Sequence, residues 1–158
     1  MANLIEGPAP RKREQHLEVL RVKTVEAQNF TVLSVQLKAV ETHWWKGRSS
    51  PCYGSKVACQ GCAEEWVYKW KGYLHCIHWQ SSSEVFLELT EQAVMLMMKQ
   101  VSDRSQLRGT NLSIRKTKGA ARGRYLIEVL ERVAPEESMS ESRDPVETLK
   151  FLWAAKRA

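Results

Sequence analysis

Three cysteines within eleven residues, Cys52, Cys59 and Cys62, constrain this chain more than any other feature. With His43 they give the spacing H-x8-C-x6-C-x2-C. Thiolates and an imidazole clustered this closely are the donor set of a tetrahedral zinc site, and a structural zinc takes four such ligands. Cys59-Gln60-Gly61-Cys62 reads as a knuckle: two thiolates grip one ion, and Gly61 offers the left-handed backbone that such a turn often needs. Gly54, just after Cys52, relaxes a similar turn. The fourth ligand stays open on sequence grounds. His43 is preferred because it ends a candidate strand and stands nearest in sequence on that side, and His75, Cys76 and His78 compete with it. Cys76 is expected to point inward among Trp70 and Leu74, where a thiol behaves as a small hydrophobe. Reduced thiols without metal are the remaining alternative.

A site closed by four protein ligands leaves no position for a reactive water, so the zinc is expected to order a loop and not to catalyse. A nucleobase deaminase uses H-x-E with P-C-x-x-C. Here Pro51-Cys52 is followed by the next Cys seven positions on, and Glu41 stands on the wrong side of His43. The chain also lacks G-x-S-x-G, a P-loop and H-E-x-x-H. The expectation is a non-enzymatic protein.

Around this loop, apolar periodicity divides the chain of 158 residues into one domain with tails. Residues 1–16 form a flexible basic arm with Pro8, Pro10 and Arg11-Lys12-Arg13. Alternation predicts strands over 17–26 and 31–40, with Leu33, Val35, Leu37 and Ala39 inward, and a third over 67–79. Glu84 to Leu89 reads as a short strand or a lead-in to a helix over 91–102, which Thr90 caps. Val94, Met97, Met98 and Val101 give that helix its core face. Two strands follow, 111–116 and 124–132, joined by a basic turn. Residues 134–144 form an acidic linker, and Asp144-Pro145-Val146-Glu147 opens a C-terminal amphipathic helix over 145–158. The fold class is mainly β: five strands, a zinc-binding loop between strands 2 and 3, a helix between strands 3 and 4, and a C-terminal helix. That is the order of the OB-fold, a small Greek-key barrel, with other five-stranded α+β layouts as alternatives. No apolar run approaches the roughly 18 residues that cross a bilayer, and no apolar leader opens the chain, so a cytoplasmic protein without a membrane partner is expected.

The composition adds a polyanionic partner: net charge +6, pI about 9.3 and six Trp. One face of the third strand interleaves cations and rings, Lys69, Lys71, Tyr73 and Trp79, and Trp44, Trp45, Lys46 and Arg48 stand beside the metal loop. Cations neutralise phosphates, and flat rings stack unpaired bases at roughly 1–3 kcal/mol each. A second cluster, Arg108, Arg115, Lys116, Lys118, Arg122 and Arg124, has no acidic residue between its ends. In an OB-fold both regions border the binding face. The alternative for the third strand is that Tyr73, Ile77 and Trp79 cover a second packed layer.

An OB-fold with a His-Cys-Cys-Cys loop resembles the T4-type phage single-stranded DNA-binding proteins. The resemblance rests on His43, Cys52, Cys59 and Cys62, in that order and ending in Cys-x-x-Cys, and on the layout of residues 17–132. It implies binding of single-stranded DNA in replication or recombination. The acidic stretch 136–147 is similar in charge to the C-terminal region through which such proteins recruit partners, which implies a protein partner at the C-terminal helix. RNA is the alternative ligand, since stacking does not distinguish the sugars. A zinc-bearing protein–protein adaptor, gripping its partner through the Trp-rich loop, is the alternative from another class.

Overall fold

The alternating segments of the sequence become strands of one mixed sheet in the computed structural model, which describes residues 17–52, 54–118, 124–133 and 139–155. In chain order the elements are β1 (Glu18–Leu20), β2 (Gln28–Val32), β3 (Lys38–Trp45), β4 (Arg48–Pro51), α1 (Gln60–Ala63), β5 (Val67–His78), β6 (Ser83–Thr90), α2 (Glu91–Gln100), β7 (Asn111–Lys116), β8 (Tyr125–Val129) and α3 (Pro145–Ala155). The arm over 1–16 and residues 134–138 of the acidic linker lie outside the described residues.

Strand β5, twelve residues long, organises the sheet. One edge pairs antiparallel with β6, from Lys71↔Thr90 to His78↔Ser83. The other edge pairs with β3 from Trp44↔Val67 to Lys38↔Tyr73, then with β2 from Val32↔Cys76 to Phe30↔His78. The chain between β2 and β3, residues 33–37, therefore stands opposite only Leu74 and His75, which makes it a wide bulge. This overturns the single strand expected over 31–40. Alternation is lost across the bulge: Leu33 and Ser34 are buried while Val35 is exposed. Ser34 stays in place because its Oγ accepts the His75 amide at 2.6 Å and Leu33 N donates to His75 O at 2.7 Å.

The first expected strand, 17–26, shrinks to β1, which lies parallel to β6. Beyond it the backbone bonds to other partners: Tyr125 Oη donates to Val22 O at 3.0 Å and Lys116 N to Thr24 O at 2.8 Å. Residues 83–90 form a full strand, where the sequence left a choice of strand or helix lead-in. The sheet order is β1-β6-β5-β2-β7-β8, with β3 and β4 off this path. The protein is thus mainly β with an open sheet of eight strands, not a closed five-stranded barrel. The edge of β6 that closure would use is occupied by β1.

The main core gathers Phe30, Val32, Leu74, Cys76, Leu87, Leu112 and Ile114, and α2 covers it with Val94 and Met97. Thr90 caps α2 by accepting the Ala93 amide at 3.2 Å. Strands β7 and β8 turn Leu112, Ile114, Tyr125 and Ile127 inward, as their alternation predicts. On the other face of β5, Phe86 packs against the His75 ring with centroids 5.5 Å apart. Helix α3 reaches this side: Pro145, Thr148 and Leu149 are buried, and Arg143 N donates to His75 Nδ1 at 3.0 Å. Asp144 Oδ1 accepts from Val146 N at 3.0 Å, the cap that the sequence predicts. Among the described residues no helix is long and apolar enough to cross a membrane.

Candidate metal centre and its basic–aromatic surroundings

His43, Cys52, Cys59 and Cys62 converge with their ligand atoms all within 4.8 Å of one another. Four segments bring them together. His43 lies near the end of β3, and Cys52 follows β4, its amide bonded to Glu41 O at 2.9 Å. Cys59 precedes α1, its amide bonded to Ser55 O at 2.8 Å, and Cys62 lies in the single turn of α1. The hairpin between β3 and β4 turns at Lys46 (φ 48°) and Gly47 (φ 77°). Positive φ at both central residues is the twist-matched turn of two-residue hairpins. Gly54 also has positive φ, 84°, and its amide donates to Cys52 Sγ at 3.4 Å. Gly61 serves a different purpose from the one its place in the knuckle predicts. It is not among the glycines of positive φ; instead a Cβ there would stand 2.5 Å from Cδ2 and Cγ of the His43 ring. The glycine lets α1 lie against the imidazole.

The His43 ring is oriented as a ligand should be. Its Nδ1 lies 3.3 Å from Trp66 O, and its Nε2 lies 3.4 Å from Cys62 Sγ. A proton on Nδ1, donated to that carbonyl, leaves the Nε2 lone pair aimed at the thiols, the arrangement that fixes the tautomer of metal-bound histidines. Cys52 Sγ and Cys62 Sγ are 3.5 Å apart. Contact with Cys52, then desolvation and Cys59, push the Cys62 thiol up to about 11. Thiols packed this way resist ionisation until a cation compensates them. The residues present therefore fit a metal ion.

The competitors for the fourth position lie elsewhere. Cys76 is wholly buried in the main core, and burial pushes its thiol far up. His75 faces Glu84 and Arg143, and the His78 ring lies between Ser81 and Gln28.

The cations and rings expected to meet a nucleic acid separate into two groups. Trp44 and Trp45 are exposed, at 42% and 47%. Lys69 Nζ stands 5.7 Å over the Trp44 ring and Lys46 Nζ 5.6 Å over Trp45, which stacks on Trp66 at 5.4 Å and 6°. Arg48 pairs with Trp45 across the hairpin. Arg115, Lys118 and Arg124 are exposed, and Arg122 lies outside the described residues.

The other residues each have a partner within the fold. Tyr73 is only 3% exposed, and its hydroxyl donates to Glu88 Oε2 at 3.4 Å, so the ring has no free face for a base. Burial first, then the Glu88 charge, drives its phenol far up. The expected exposed face fails here because Tyr73, Leu74, His75 and Cys76 are all covered, on both sides of β5. Arg108 donates to Leu33 O at 2.7 Å and Met139 O at 3.1 Å, a brace on the bulge and not a free cation. Lys71 bonds Glu88 at 3.2 Å and Ser49 at 3.3 Å. Lys116 is buried, with Nζ 4.8 Å over the Tyr125 ring. Trp79 is exposed but stands just past the far end of β5 from Trp44, its Nε1 donating to Thr31 Oγ1 at 2.9 Å.

Two residues carry more than the sequence signalled. Tyr68 is 51% exposed beside His43, with ring centroids 6.0 Å apart, and it donates to Glu41 at 2.8 Å. Arg21 joins Lys71 on Glu88, at 2.7 Å. Burial works to raise the Glu88 carboxyl, but Lys71 and Arg21 hold it below the ordinary carboxylate range. Only the cation–ring alternation near Tyr68 hinted at this, and nothing in the local sequence linked Arg21 to Glu88 across 67 positions. Comparison of the chain with protein-family models, with curated proteins and with solved structures finds no match.

Proposed function

We propose that this protein binds single-stranded DNA without catalysing a reaction, and that a structural zinc held by His43, Cys52, Cys59 and Cys62 orders its binding surface. A set of three thiolates and one imidazole favours zinc among the common divalent ions, and the four ligands leave no open position. One observation carries the nucleic-acid reading: the exposed Trp rings beside the metal cluster each have a lysine ammonium within 6 Å, Lys69 at Trp44 and Lys46 at Trp45. Rings that stack bases next to cations that follow phosphates are what an unpaired strand needs.

The adaptor reading calls for one contiguous Trp patch away from cations. Against it, Trp79 lies at the opposite end of a twelve-residue strand from Trp44, and the rings at the metal end are flanked by lysines. Support for an OB-like layout comes from the pairing of β5 with β3, β2 and β6, of β2 with β7, and of β7 with β8, with α2 between β6 and β7. OB-folds are partly open barrels, and an extra β1 on β6 is compatible with that plan.

The test is a titration of labelled oligothymidine and of a labelled duplex at two salt concentrations. The reading expects single strands to bind tighter, because duplex bases already stack on each other. It expects affinity to fall with salt at a log–log slope of about −0.7 per phosphate contact. An oligoribonucleotide in the same series decides between DNA and RNA. Equal affinity for duplex and single strand, with no salt dependence, defeats the proposal in favour of the adaptor.

A further inference from the structure

A cavity of about 480 Å³ opens between the first residues of β5, the end of β6 and the base of the β7–β8 hairpin. Its volume is within the range of small-ligand sites. Its wall is unusual in sign and chemistry. Four cations (Arg21, Lys69, Lys71 and Lys116) and two carboxylates (Glu88 and Glu91) line it, with the rings of Tyr68, Trp70 and Tyr125. Cations that serve solubility point outward into water. Here Lys71 and Lys116 are mostly buried, the side chain of Lys71 being 12% exposed. Glu88 gathers two of the cations on a single oxygen, Arg21 at 2.7 Å and Lys71 at 3.2 Å, and takes Tyr73 Oη on the other. One carboxylate thus holds two cations at the cavity wall and offsets only one of their two charges. Lys69 lines the cavity and also stands over Trp44, so one side chain links the cavity to the exposed ring beside the candidate metal centre.

We propose that this cavity is a nucleotide subsite: a phosphate sits among Arg21, Lys71 and Lys116, and its base lies against the Tyr68 ring. The proposal rests on the single-strand reading and gives that surface a fixed anchor, from which the strand runs over Lys69 to Trp44. Glu88 is a positioning residue: it preorganises the cations and sets how much positive charge remains for the phosphate.

The experiment uses the full chain loaded with zinc. Oligothymidine is titrated at two salt concentrations into wild type, Arg21→Ser and Lys116→Met. In a second arm, thymidine 5′-monophosphate, thymidine and inorganic phosphate are titrated into wild type while ring and amide NMR signals are followed. Met keeps an apolar stem over Tyr125, and Arg21 is at the surface, so melting curves verify that both variants fold. Each variant is expected to bind oligothymidine roughly tenfold more weakly, the loss of one charge-assisted hydrogen bond, with the salt slope reduced by about 0.7. Glu88→Gln, which keeps a carbonyl acceptor for Arg21 and Lys71 but removes the charge, is expected to tighten binding and steepen the slope, whereas Glu88→Ala, which loses the acceptor as well, is expected to gain less; equal gains in the two variants overturn the positioning role. The monophosphate is expected to shift the Tyr68 and Tyr125 signals more than thymidine or phosphate alone. Oligothymidine binding that is unchanged in both variants overturns the subsite and leaves the single-strand reading standing. If oligothymidine fails to bind wild type, the single-strand reading falls. The monophosphate arm then decides the cavity alone: shifts confined to its wall support a nucleotide site, and none there overturn it.

Discussion

At one end of β5, Val67, Tyr68 and Lys69 stand exposed beside Trp44 and the metal cluster, whereas toward the other end Tyr73, Leu74, His75 and Cys76 are all buried. Rings and polar groups alternate along both halves. What differs is the cover. The first half has β3 and the metal loop at its flank and leaves a face to solvent. The second half is roofed on one side by the main core and on the other by the 33–37 bulge, Phe86 and the start of α3. Alternation tells which residues share a face, but a face is free only if nothing distant in sequence lands on it. The first half thus carries the candidate metal centre and the candidate chemistry, while the second half depends on packing.

The sharpest way to separate the halves is to remove the metal. Cys62→Ser is expected to abolish stoichiometric zinc and to unfold residues 43–66 locally, because the free energy of metal binding at a structural site is folding free energy, about 10–16 kcal/mol in small zinc domains. Hydrogen exchange is expected to rise there while the amides of α2 and β7 stay protected; global loss of protection would show that the core also leans on the metal. Gly61→Ala tests the same loop without touching a ligand. Its Cβ would collide with the His43 ring at 2.5 Å, so faster zinc release to a chelator is expected, with the thiols intact.

The converse test strikes the packed half. Leu74 is wholly buried among core residues, and Leu74→Ala is expected to cost about 2–5 kcal/mol, read as a lower midpoint in denaturant. Zinc content and, below the transition, oligothymidine affinity should stay near wild type. A loss of zinc in this variant would mean that the two halves form one cooperative unit.

The candidate metal ligands are legible in the sequence because their donors are chemically rare and three of them crowd eleven residues. Proximity in sequence favours His43, and the geometry that sets its ring among the thiols, Nδ1 against Trp66 O and Gly61 beneath the ring, depends on contacts that spacing does not encode. Strands β5, β7 and β8 and helix α2 follow from periodicity and one cap. The bulge at 33–37 does not, since its apolar pattern continues unbroken while its backbone is diverted to His75. The loss of Tyr73 and Arg108 as exposed binding residues has the same origin: each is claimed by a partner far along the chain, Glu88 for one and Leu33 and Met139 for the other. The closed barrel failed because three residues of β1 occupy the edge of β6.

A smaller effect separates the halves in binding. Trp44→Ala is expected to weaken oligothymidine by about 1–3 kcal/mol, the usual worth of one stacked base, with little change in salt slope. Tyr73→Phe, in the buried half, is expected to leave affinity unchanged and at most to loosen Glu88, since its ring reaches no surface. Fluorescence titration of both variants tests the contrast, and equal losses would mean that the buried half opens to receive the strand.

The smallest expected effect is on pH dependence, and it belongs to the packed half alone. His75 accepts the Arg143 amide on Nδ1, so its proton resides on Nε2, which lies 3.0 Å from Glu84 Oε1 but out of line for a hydrogen bond. Burial first, with Arg143 and Arg108 adding to it and Glu84 opposing, lowers its pKa below the usual 6.5. A histidine whose folded pKa is depressed binds protons more readily when unfolded, so its contribution is fully present above pH 6.5 and fades as pH falls through the lowered folded value. Protonation also places a hydrogen on Nδ1, against the Arg143 amide, and so loosens the start of α3 first. Melting midpoints should therefore fall between pH 7 and pH 5 by more in wild type than in His75→Gln, whose side chain does not titrate. Taking the difference between the two proteins removes the proton competition at the metal ligands, which both share. Amide exchange at Arg143 should rise over the same interval in wild type. If both proteins lose stability in parallel and that amide stays protected, α3 is held by Pro145, Thr148 and Leu149 and not by the imidazole.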